Sequence, residues 1–84
     1  MNTMYSHLAP SFEASMEAQA RAFLSGATKA QIIARRDALY DAKRELKDRD
    51  MRRLSTNLIR IMDAEIIARA SLASVERTRL ALAS

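Results

Sequence analysis

Three observations on the 84-residue chain predict an all-α fold. It holds one Gly and one Pro, where ordinary domains carry roughly 7% and 5%, too little punctuation for hairpins, Gly-rich phosphate loops or β-sandwiches. Apolar residues recur at three- and four-residue steps along most of its length, the helical period. Thr28 and Gln31 stand three apart, so that each side chain can satisfy the other's orphan backbone N–H in a capping box. The expected architecture is a small helical bundle or helical hairpin, with a short N-terminal helix, a long C-terminal helix and coiled-coil-like packing.

Residues 1–10 follow neither the helical nor the strand period and are expected to form a flexible lead-in, with Tyr5 and Leu8 packing locally, to a single helical domain over 11–84. Ser11 is a candidate N-cap and Glu13 sits favourably in the first turn. Phe12, Met16, Ala20, Phe23 and Leu24 form one apolar stripe, predicting a first helix near 12–24 that Gly26 closes as a C′ residue.

The capping box starts a second helix at Lys29, near 29–47. Its buried stripe is expected to be Ile32, Ile33, Leu39, Tyr40 and Leu46, flanked by Ala30, Ala34, Ala38 and Ala42, a row that would let a neighbouring helix approach closely. The run Lys47-Asp48-Arg49-Asp50 decides the topology. The register of Ile33 and Tyr40 continues into Leu54 and Ile61, which allows one helix from 29 to 82. The register of Ile32, Leu39 and Leu46 lands instead on Arg53, and Asp48 or Asp50 can cap a new helix. A turn is therefore predicted, giving a third helix near 50–82 that runs antiparallel to the second.

The third helix has one wide apolar face. Leu54, Leu58, Ile61, Leu72, Val75 and Leu82 lie on one side, with Ile59, Met62, Ile66, Ala73 and Leu80 beside them. Leu54, Ile61, Ala68, Val75 and Leu82 keep a seven-residue spacing, as do Ile59, Ile66, Ala73 and Leu80. Two adjacent seams on one helix call for two neighbours. Glu65 falls in the middle of this face, where an unpaired carboxylate would be costly. Arg69 is its local partner, and an Arg from another helix or chain would make it a register-setting contact.

Composition also narrows function. Without Cys the chain has no disulfide, thiolate zinc site or Cys nucleophile, and its one His, His7, has no neighbouring group in sequence to orient it as a base. Asp37, Asp41 and Glu45 form an acidic ridge, but Arg35, Arg36, Lys43, Arg44 and Lys47 crowd the same helix, so a solvated, ion-paired face is expected rather than a cation site. No cofactor or metal is expected. Residues 1–10 have no basic or apolar leader pattern, and no uncharged stretch approaches the ~18 residues of a membrane span. The reading is a soluble, cytoplasmic protein without a membrane partner.

The expected function is non-enzymatic binding by helix packing to another protein or to a copy of itself, in the manner of adaptors, secretion co-chaperones, phage-encoded inhibitors and assembly subunits. Its anchors would be Leu54, Leu58, Ile61, Ile66, Leu72 and Val75, with Glu65 fixing register. The alternative is a small DNA-associated regulator. The chain carries a net charge of +4 and a pI near 10.1, and residues 29–53 present Lys29, Gln31, Arg35, Arg36, Arg52 and Arg53. Two helices joined by the short 25–28 turn give the outline of a helix-turn-helix. A basic stretch feeding heptads also resembles the plan of basic-zipper proteins, but Asp37, Asp41, Glu45, Asp48 and Asp50 interrupt it.

Overall fold

The computed structural model describes residues 10–83 and is all-α: α1 (Pro10–Gly26), α2 (Lys29–Glu45) and α3 (Arg49–Ala83), with no strand among the described residues. The lead-in expected over 1–10, with its contacts of Tyr5 and Leu8, and His7 lie outside them, apart from Pro10. That residue opens α1, ahead of the Ser11 cap expected from sequence. A proline suits the first helical position, where no N–H is needed.

The capping box forms as the spacing predicts. Gln31 N–H donates to Thr28 Oγ1 at 3.1 Å and Thr28 N–H donates to Gln31 Oε1 at 2.9 Å. The turn in the charged run is also present. α2 stops at Glu45, Leu46 turns to extended backbone, and its N–H donates to the Lys43 carbonyl at 3.1 Å. Asp48 then starts α3, accepting the Asp50 N–H on its side chain at 3.3 Å and the Arg52 N–H on its carbonyl at 3.0 Å. Arg52 closes the junction, its Nη1 donating to the Leu46 carbonyl at 3.1 Å and reaching the Lys43 carbonyl at 3.4 Å.

Cross-helix contacts set the directions. Arg36 meets Asp63, and Arg52 meets Lys43 and Leu46, so α2 runs antiparallel to α3. Glu13 meets Arg53, and Arg69 meets Leu24 and Ala27, so α1 runs parallel to α3. Both shorter helices pack on α3 and hardly on each other. One core cluster joins Ala20 of α1 to Leu54 and Leu58. The other gathers Leu24, Ala27, Ile32 and Met62, where all three helices meet. The two seams of α3 therefore do find two neighbours, but only along its first half.

Three local expectations are corrected. Gly26 is the last residue of α1 rather than a left-handed C′ cap, since no glycine has positive φ. The carbonyls at this helix end are met instead by Arg69. A Cβ on Gly26 would meet nothing within 4 Å, so Gly26→Ala should stabilise the fold by about 0.5–1 kcal/mol, through helix propensity and reduced freedom of the unfolded chain. A thermal melt of the variant checks this. Tyr40 is exposed rather than buried, and so are Ala30, Ala34, Ala38 and Ala42. The residues of α2 that meet α3 include Ile32 and Leu39, with Arg36 beside them donating to Asp63.

Candidate functional site

α3 has 35 residues against 17 in each of the others. At 1.5 Å per residue it is about 52 Å long and they are about 25 Å, so they cannot cover it. Its buried residues, Leu54, Ser55, Leu58, Ile59 and Met62, all lie in the first half. Beyond Arg69 every described residue is exposed. This second half is still apolar on one side: Leu72 is 69% exposed, Val75 63% and Leu82 82%.

Glu65 and Arg69 mark where the bundle ends. Arg69 Nε donates to Glu65 Oε2 at 2.7 Å. The same guanidinium donates through Nη1 to the Ala27 carbonyl and through Nη2 to the Leu24 carbonyl, both at 2.8 Å. It thereby serves as the C-terminal cap of α1, since the last carbonyls of a helix lack intrahelical donors. Glu65 is half-buried and orients a planar donor fork that engages three acceptors at once. The pairing with Arg69 is legible from the i,i+4 spacing. The two carbonyls are not, because no local pattern relates residue 69 to residues 24 and 27.

The anchors expected from sequence divide into two groups. Leu54 and Leu58 are buried in the chain's own core and are unavailable to a partner, while Ile61 and Ile66 are half-buried against that core. Leu72 and Val75 remain open. The heptads mark all of these as one face and carry no information about which half is covered. Leu82 extends the open face to the end of the helix, whereas Leu80, two residues earlier, points to a different side.

The basic residues of 29–53 are mostly engaged within the chain. Gln31 belongs to the capping box and Arg52 caps α2. Arg36 bridges Asp63 at 3.0 Å and Asp37 at 3.2 Å, and the hydrogen bond it donates to Asp63 raises its guanidinium pKa above the ordinary value. Arg53 bridges Glu13 at 2.8 Å and Asp50 at 3.1 Å, and is shifted in the same direction, chiefly by Glu13. Arg35 lies over the Phe23 ring, 4.5 Å from its centroid. Lys29 is exposed. On the acidic ridge, Asp37 and Asp41 accept from Arg36 and Arg44, and among the described residues no group of three or more His, Cys, Asp or Glu is placed to hold a metal ion. No helix there is long and apolar enough to cross a membrane.

Comparison with protein-family models, with curated proteins and with solved structures gives no match.

Proposed function

We propose that the chain is a non-enzymatic interaction module, in which a three-helix bundle carries the second half of α3 as a docking helix for another protein or a second copy. Adaptor, co-chaperone, inhibitor and assembly-subunit roles all use such an element. One observation carries the reading: Leu72, Val75 and Leu82 are exposed on one side of a helix that has left its own core. A helix of about 14 residues is marginal in water without packing, and a contiguous apolar face on a small protein marks a contact surface. Partner helices recognise such a face through anchors at helical spacing.

The DNA-associated alternative asks for cations free to meet phosphates. Arg36, Arg52 and Arg53 each already have partners within the chain, which weighs against it. Docking through apolar anchors also predicts association that salt hardly weakens, whereas phosphate contacts would give a steep salt dependence.

A photo-crosslinking residue at position 75, compared with one at exposed Ser15, tests the proposal in cells producing the protein. Discrete protein adducts are expected at 75 and not at 15. Adducts to nucleic acid alone, or equal diffuse labelling at both positions, would contradict it.

A further inference from the structure

Two shallow hollows lie along one side of α3. Arg60, Ile61, Ala64, Glu65 and Ala68 line the first. Ser74, Val75, Thr78, Arg79 and Leu82 line the second. Each of the second five stands two heptads beyond one of the first, in the same order. A shift of two heptads is close to four helical turns, so the hollows face nearly the same way, about 21 Å apart along the axis. The first is walled on one flank by Arg21 and Leu24 of α1, and the second has no flanking helix.

At one equivalent position the repeat reverses charge, with Glu65 in the first hollow and Arg79 in the second. Size alternates as well: Ala68 corresponds to Leu82. Resting on the reading of α3 as a docking helix, we infer that its occupant is a second copy of this chain, running antiparallel, with the first hollow of each copy on the second hollow of the other. A two-fold axis beside residues 71 and 72 then sets Ile61 opposite the second copy's Leu82, Ala68 opposite its Val75 and Glu65 beside its Arg79. Apolar side chains meet apolar ones, Ala68 leaves room for Val75, and opposite charges meet. A parallel, in-register pair would set Glu65 against Glu65 and Arg79 against Arg79, a like-charge arrangement that disfavours it. A parallel pair shifted by two heptads would match the charges but leave one hollow open on each copy, and only the two-fold arrangement closes both.

The polar groups are available for this contact. Glu65 is 34% exposed on its side chain and uses Oε2 for Arg69, leaving Oε1 to accept a second guanidinium. Arg79 gives Nη2 to Glu76 and has further N–H donors. The paired length from Ile61 to Leu82 is about 32 Å, longer than the exposed half of α3. The tip of each helix therefore lies in the furrow beside the other copy's α1.

Sedimentation equilibrium of the full chain tests the inference. The wild type should be a dimer whose mass holds in high salt. Val75→Glu should be monomeric, and Arg79→Glu should raise the dimer dissociation constant by about tenfold or more by facing Glu65 with a second carboxylate. Both positions are exposed, so circular dichroism and melting of dilute samples should match wild type. The chain has no cysteine, so orientation can be read from single introductions. Oxidation should cross-link Ser71→Cys, which lies at the axis, and not Leu82→Cys, which lies at opposite ends. A monomer at all concentrations, a dimer indifferent to both charge variants, or cross-linking through Leu82→Cys would each overturn the antiparallel pairing. The first of these, found with a heterologous adduct at position 75 in cells, would leave the docking-helix reading standing. A dimer indifferent to both variants, found with no adduct at position 75, would remove both.

Discussion

Replacing Ile32 by alanine should lower the unfolding free energy by about 3–4 kcal/mol, above the middle of the range for a buried isoleucine. Ile32 is 0% exposed and sits one turn into α2, where it clusters with Leu24, Ala27 and Met62. Its side chain fills a place where all three helices meet, and the two-residue link and capping box beside it leave the backbone little freedom to collapse into the gap. Met62 is the neighbour able to adjust, being unbranched, which keeps the expected loss from the extreme of the range. A domain of this size has a net stability of only several kcal/mol, so the variant should be largely unfolded at moderate urea concentrations where wild type is native. A urea titration checks this. An unchanged midpoint would mean that the core is not centred on Ile32.

Replacing Arg69 by alanine should cost about 2 kcal/mol, a value that allows for its partial exposure. The loss has two parts. The carbonyls of Leu24 and Ala27 lose their donors at the end of α1, and Glu65 loses the cation that lets it sit half-buried. Arg69→Lys should recover less than half, because an ammonium cannot present three donors in the fork geometry that these acceptors match. The variants also separate anchoring of α1 from packing elsewhere. In Arg69→Ala, amides near the end of α1 should exchange faster while those of α2 facing α3 change little. A uniform loss across all three helices would show that Arg69 acts on the whole core and not as a cap.

Much of this fold is legible in sequence because its boundaries are set locally. Thr28 with Gln31, and Asp48 before α3, are short-range devices whose partners lie within three residues, and the periodicity of α3 extends over most of its length. The orientation of α2 is not local. Which side of it faces inward is decided by what it meets on α3, where Ile32 joins Met62 and Arg36 meets Asp63 from 27 residues away, and Tyr40 and the alanine row are left to solvent. The end of α1 escaped for a related reason. Gly26 suggests a self-contained cap, but the donor that makes it unnecessary comes from Arg69, on another helix.

The exposed face of α3 is legible in sequence only as part of one longer apolar stripe, with nothing to say which half stays open. Leu54 and Val75 are equivalent in the heptad pattern, yet one is 3% exposed and the other 63%. The difference is a matter of lengths: α1 and α2 end before α3 does. A stripe longer than its partners can cover is therefore the informative feature, and it emerges only when helix lengths are compared across the whole chain.

The chain's own helices hold α3 through residue 69 and not beyond. Amide hydrogen exchange of dilute protein, resolved along α3, separates the two halves. Strong protection is expected over 54–66 and exchange faster by about a hundredfold or more over 71–83, because residues there open by local fraying at little free-energy cost. Protection that stays uniform to the end of α3 in a monomeric sample would mean instead that residues 71–83 are held by the rest of the same chain.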